Sequence, residues 1–227
     1  MNKFEDFIID EPYNMTEVDL AAIELASPGG VNVYTDWEKS CLNDLKERLR
    51  TYYGRKQHRY CAYCRTRVND SQASAEVEHI VPKSKHPEWM YEPFNMCYSC
   101  RMCNTVKGYN KPILANDNTE SLPHLSNGYL LIHPHLDNYS RHIEIVDNVL
   151  YKGKTKKGKY TIKTCGLNRY ALAAERAEAI IRSRGSKSEG YLLALVDTDK
   201  NRNLVDVISR YKERIHDMCE EYKALNE

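Results

Sequence analysis

Four of the chain's eight cysteines fall into two C-x-x-C pairs, Cys61/Cys64 and Cys100/Cys103. Two such knuckles present four thiolates to one tetrahedral ion, and zinc is the ion this spacing suits. The start, Met1-Asn2-Lys3-Phe4-Glu5-Asp6, carries no basic patch followed by an apolar stretch, so no secretory signal is read there and a cytoplasmic location is expected. Disulfides are disfavoured in that compartment, which strengthens the metal reading of the paired thiols. Cys41, Cys97, Cys165 and Cys219 lack the spacing and read as small buried hydrophobes.

Between the pairs lies Val77-Glu78-His79-Ile80-Val81-Pro82-Lys83-Ser84. Adjacent residues on a strand point to opposite faces, so Glu78 and His79 can converge only if the strand ends or twists there, and Pro82 ends it. Asn95 follows after a loop, Cys100 comes five residues later, and Cys103-Asn104-Thr-Val-Lys107-Gly108 closes the unit.

From Cys61 to Lys107 these residues resemble the HNH (ββα-metal) endonuclease family. Its pattern is a C-x-x-C, an acid-His-x-x-Pro strand, a loop Asn, a second C-x-x-C, then His or Asn and a Lys. Asn95 and Asn104 stand nine residues apart, as the middle and last letters of that pattern do. The resemblance implies that His79 is the general base acting on water, a role that suits a neutral imidazole. It implies that Glu78 and Asn104 hold one catalytic divalent ion, Mg²⁺ or Mn²⁺, because the donors are oxygens. Asn95 would brace the loop and orient His79, and Lys107 and Arg101 would reach phosphate oxygens. Cys61, Cys64, Cys100 and Cys103 would hold a structural zinc that takes no part in hydrolysis. Two positions depart from the commoner pattern: Glu78 stands where Asp is usual, and Asn104 where His is frequent.

A looser resemblance rests on Tyr129-Leu-Leu-Ile-His-Pro-His-Leu-Asp137, Arg141-His142-Ile143 and Gly166-Leu-Asn-Arg169. These segments are similar to the stand-alone HNH subunit of Septu-type and retron-associated anti-phage systems, where the nuclease works with an ATPase. The expected partners are therefore DNA and an ATPase subunit. In that stretch His133, His135, Asp137 and Arg169 read either as DNA or partner contacts or as polar loop and cap residues. Two other readings use the same residues: a non-catalytic zinc module that binds nucleic acid or protein, and a nuclease directed at RNA.

The elements that must position these groups define an α+β chain. A small ββα-metal core with a four-cysteine zinc knuckle is expected, flanked by mainly helical N- and C-terminal extensions. The boundaries read as an acidic arm over 1–35, the nuclease core with its preceding helix over 36–115, and a mainly helical extension over 116–227. No apolar run approaches the roughly 20 residues of a membrane span. A short helix fits Glu17 to Leu25, and Trp37, Cys41, Leu42, Leu45 and Leu49 recur at helical spacing behind an Asp36 N-cap. Ala75 to Val81 suits a strand, Lys83 to Phe94 a loop, and Asn104 to Tyr109 the start of a helix. Gly128–His133 and His142–Val146 read as strands. Asn168–Arg184 and Leu204–Leu225 read as helices, the last with an apolar stripe that suits either the domain's own core or a seam with a partner helix.

Charge is segregated. Met1 to Asp36 holds eight acids against one lysine, and Lys46 to Arg67 holds eight basic residues against Glu47 alone. This reads either as a polyanion-facing surface at Arg48, Arg50, Arg55, Lys56 and Arg59, with an acidic arm that avoids it, or as ordinary solvated helix faces. A second basic run spans Lys152–Lys159.

Overall fold

The computed structural model describes residues 6–30, 33–68, 75–146, 149–169, 172, 173 and 176. The chain divides into one compact unit of residues 1–146 and 151–167 and a second of 147–150 and 168–227. The expected helices over 168–184 and 204–225, with the apolar stripe of the latter, lie almost wholly outside the described residues. The first unit is α+β in composition.

Helix α1 (Glu17–Ala26) starts where Thr16 and Asp19 form a reciprocal capping box. The next helix begins later than the apolar spacing predicts. Tyr34–Glu38 and Ser40–Leu42 are 3₁₀ turns, and α2 runs only from Asn43 to Lys56. Asp36 is the reason: its carboxylate accepts from the Val33 amide and the Ser27 hydroxyl and pairs with Lys39 at 2.8 Å. It ties a turn instead of capping α2, and Lys39 is left extended. Leu42, Leu45, Leu49 and Tyr53 then bury one face completely, each Leu contributing about 1.5–3 kcal/mol of transfer free energy.

That face of α2 packs on a two-stranded antiparallel sheet, β1 (Ala75–His79) and β2 (Met96–Cys100), in the register Glu76↔Ser99, Glu78↔Cys97, His79↔Met96. Strand β1 stops two residues short of Val81, because the Asn95 side chain takes the backbone of Val81 that would otherwise extend the ladder. Helix α3 (Arg101–Lys107) follows β2 without a break and starts three residues before Asn104. The Cys100 sulfur caps it, accepting from the Cys103 amide at 3.4 Å.

Gly128–His133 does not form the expected strand. Its amides go elsewhere: Leu130 to the Ile113 carbonyl, Ile132 to the Thr161 hydroxyl, and His133 to the Asp137 carboxylate. A short helix, α4 (Tyr139–His142), leads into a small sheet of β3 (Ile143–Val146) and β4 (Leu150–Gly153). The second basic run then opens helix α5 (Lys156–Cys165), which the charge pattern concealed. Within that run a side chain at Gly158 would collide with the His142 carbonyl, so the glycine is required for packing. The segment also braces the first cysteine knuckle, since Tyr139 and Tyr151 donate their hydroxyls to the Tyr63 and Cys64 carbonyls.

Candidate active site and metal centre

The four paired cysteines meet at the junction of the first knuckle with the β2–α3 corner. Their sulfurs all lie within 4.8 Å of one another, and Cys64 and Cys100 are 3.9 Å apart. A tetrahedral ion with sulfur at about 2.3 Å demands a sulfur–sulfur separation of roughly 3.8 Å, so the donor set fits a thiophilic ion. Burial opposes ionisation of Cys61, yet hydrogen bonds from Cys100, Cys103 and Cys64 outweigh it and hold this thiol well below its usual range. Arg65, next in sequence to Cys64, is buried between the rings of Phe7 and Tyr139 at 3.5 and 4.4 Å. Its guanidinium interacts electrostatically with Cys61 and Cys64.

The second centre is an open cleft of about 960 Å³. Strand β1 and helix α3 line it with Glu76, Glu78, His79, Asn104 and Lys107, together with Lys46, Glu47 and Arg50 of α2 and with Tyr34, Trp37 and Lys83. Glu76 and Glu78, two apart on β1, share a strand face, and His79 reaches the same cleft because β1 ends there.

His79 is nearly buried, with the edge of Trp37 at 4.6 Å. Its Nε2 lies 2.9 Å from the Met90 carbonyl. A carbonyl only accepts, so Nε2 carries the proton and Nδ1 is left as the basic nitrogen. Burial pushes the imidazole down to about 3, the Met90 carbonyl opposes the shift, and Lys83 and Lys107 add to it. The ring is therefore neutral at pH 7.

Asn95 does not line the cleft. It is fully buried, accepting from the Val81 amide at 2.8 Å and donating to the carbonyls of Val81 at 3.0 Å and Trp89 at 3.2 Å. Both ends of the loop are thereby clamped, and with them the Met90 carbonyl that sets the His79 tautomer.

The Glu78 carboxylate is buried and uses a single oxygen twice. Oε1 meets the Lys107 ammonium at 2.5 Å and the Tyr63 hydroxyl at 3.3 Å, which leaves Oε2 for another ligand. Burial raises this carboxyl's pKa, against the opposing pull of Lys107 and Tyr63. Lys107 is itself only 2 % exposed and donates to the His79 carbonyl at 3.0 Å. Expected at a phosphate, it is instead committed to neutralising Glu78. Arg101 is exposed, does not line the cleft, and lies 3.7 Å from Glu76. Asn104 donates its Nδ2 to Glu76 Oε2 at 2.6 Å, which leaves Oδ1 as the amide's acceptor.

The basic side of α2 is divided. Arg48 pairs with buried Asp19 at 2.5 Å, and Lys56 with Asp10 and Glu11 at 2.9 and 3.1 Å. The acidic arm thus covers these two cations, which one reading of the charge pattern assigns to a polyanion. Lys46, Arg50 and Lys83 border the cleft, and Arg55 and Arg59 line a smaller hollow that shares Arg50 with it. His133, His135 and Asp137 are buried. Asp137 accepts from the His133 amide and pairs with Lys157 at 2.9 Å, holding a turn.

Glu76, Tyr63 and the Met90 carbonyl are groups at this site that the sequence did not single out. Only Glu76 had a local signal, the Glu-x-Glu alternation on a strand.

Residues 61–110, which hold both the four-cysteine cluster and the His79 cleft, match the profile of the HNH endonuclease family. The chain is similar to the Septu protein PtuB of Bacillus thuringiensis, with 30% identity over 159 residues, 68% of this chain and 53% of that protein. It is likewise similar to the Septu protein PtuB of Bacillus mycoides (strain KBAB4), 30% identical over 136 residues, 52% of this chain and 46% of that one. A Septu protein PtuA of the same strain is 25% identical over 148 residues, 59% of this chain and 20% of that protein. The chain spans about half the length of these PtuB relatives. Among the described residues no helix is long and apolar enough to cross a membrane.

Proposed function

We propose that this chain is a divalent-metal-dependent endonuclease that hydrolyses DNA phosphodiesters, and that it acts with a partner ATPase as the effector of a cytoplasmic anti-phage defence system. One observation carries the nuclease reading: the Met90 carbonyl holds the proton of His79 on Nε2, so Nδ1 is a base, in a cleft that also presents two carboxylates and an amide. The defence reading and the ATPase rest on the likeness to Septu proteins.

In this mechanism His79 Nδ1 takes a proton from water as the oxygen attacks phosphorus. The P–O3′ bond breaks, leaving a 5′-phosphate and a 3′-hydroxyl once solvent protonates the departing oxygen. Glu78 Oε2 and Asn104 Oδ1 are hard oxygen donors suited to Mg²⁺ or Mn²⁺, and that ion supplies charge stabilisation at the phosphate and the leaving oxygen. Lys107 and Tyr63 keep Glu78 turned by gripping its other oxygen. A phosphate in the cleft would raise the basicity of His79, offsetting the two nearby lysines. Lys46, Arg50 and Lys83 offer the flanking phosphates positive charge. The four thiolates hold zinc as a structural ion with no open position.

The test incubates purified protein, alone and with a candidate ATPase partner, with supercoiled plasmid and with a single-stranded RNA, in Mg²⁺ and in Mn²⁺. Metal-dependent plasmid cleavage is expected. Cleavage of RNA alone would move the substrate assignment. Cleavage of neither, with zinc present and the ATPase bound, would reduce the domain to a binding module.

A further inference from the structure

An asparagine binds a cation through Oδ1, yet its amide can turn end for end and offer two N–H donors instead. Something must choose the face. Asn104 sits one turn into α3, above the edge of β1, and its Nδ2 donates to Glu76 Oε2 at 2.6 Å. An ionised carboxylate accepts and never donates, so it can meet only the N–H end of the amide. Glu76 and Glu78 share one face of β1, so the same strand supplies both an expected ligand and the group that turns the other. The two carboxylates are differently employed: Glu78 is buried against Lys107 and Tyr63, whereas Glu76 is about one-third exposed, with Arg101 at 3.7 Å as its other partner. An exposed ion pair at that distance contributes little to folding.

We propose that Glu76 is a positioning residue of the catalytic metal site, holding the Asn104 amide so that Oδ1 faces the ion. This rests on the reading above that Asn104 is a ligand. Partners that orient a metal ligand typically contribute 10–100-fold in affinity. Glutamine can still accept the Nδ2 hydrogen bond through its own carbonyl oxygen, whereas alanine cannot, so the two substitutions separate orientation from charge.

The experiment measures Mn²⁺ affinity of the full chain by electron paramagnetic resonance, for wild type, Glu76→Ala, Glu76→Gln, Asn104→Ala and the Glu76→Ala/Asn104→Ala double variant, with zinc content confirming the fold. Expected is a roughly 10–100-fold loss in Glu76→Ala, a smaller loss in Glu76→Gln, and a double variant no weaker than Asn104→Ala alone. The proposal is overturned if Glu76→Ala binds Mn²⁺ like wild type, if Glu76→Gln is as weak as Glu76→Ala, if the double variant shows additive losses, or if Asn104→Ala keeps full affinity. The predicted ranking in a protein that cuts no nucleic acid would support the role of Glu76 and count only against the nuclease reading.

Discussion

Lys107→Met removes the one cation among the described residues in contact with the buried Glu78 carboxylate, and the donor to the His79 carbonyl. Breaking a buried ion pair from one side costs about 3–5 kcal/mol when the remaining charge cannot escape. Here it can escape by taking up a proton. Relative to an unfolded glutamate near 4.3, that uptake costs about 1.36 kcal/mol for each pH unit above this value, or roughly 3.7 kcal/mol at pH 7 and about 1 kcal/mol at pH 5. Protonation therefore caps the electrostatic part of the loss. The sign follows from the direction of the shift. Burial raises the Glu78 pKa and Lys107 opposes it, so without Lys107 the folded state holds a proton that the unfolded state lacks, and stability falls as pH rises. Urea unfolding of wild type and Lys107→Met at pH 5 and pH 8, followed by far-ultraviolet circular dichroism, measures the deficit directly. The deficit should grow by at least ~2 kcal/mol between the two pH values. A deficit below about 1 kcal/mol at pH 8, or one independent of pH, would refute the buried pair as described.

Cys100→Ser should remove the zinc, about one ion per chain in the wild type, together with much of the fold; elemental analysis that finds no zinc in well-folded wild type contradicts the thiolate assignment. Neutralising Lys46, Arg50 and Lys83 together should flatten the salt dependence of DNA binding by roughly 0.9 in log–log slope for each phosphate that these side chains no longer neutralise. The pair Arg48→Gln and Lys56→Gln should leave that slope nearly unchanged, because neither cation lines the cleft and both are held by the acidic arm. Filter binding from low to physiological salt checks both, and the reverse ranking would return Arg48 and Lys56 to the substrate face.

What could be read from the chain is what local spacing controls. Two C-x-x-C pairs bring four sulfurs together wherever a corner of sheet and helix allows it, and the α+β class followed from short alternating segments among helical ones. The start of α2 was misplaced because Asp36 is tied to Ser27 and the Val33 amide, whereas apolar periodicity registers only the face and not the end of a helix. Gly128–His133 has the composition of a strand, but residues 113, 137 and 161 take its amides, and no window on the sequence contains them all. Lys107 illustrates the same limit. A lysine in the last turn of a helix reads as solvated, and only the packing of α3 on β1 sets its ammonium against Glu78. Glu76 obeys the alternation rule, but nothing in its local spacing pairs it with Asn104, which only the packing of α3 on β1 brings to it.

The central claim is that His79 acts as the base, and one comparison tests it most directly. Wild type and His79→Ala, matched for zinc content and thermal stability, are incubated with supercoiled plasmid across a range of Mn²⁺ concentrations. Loss of a positioned general base costs about 10²–10⁴-fold in rate, so the variant should leave the plasmid essentially uncut at every concentration while its zinc content stays that of wild type. Cleavage by His79→Ala at the wild-type rate would contradict the account.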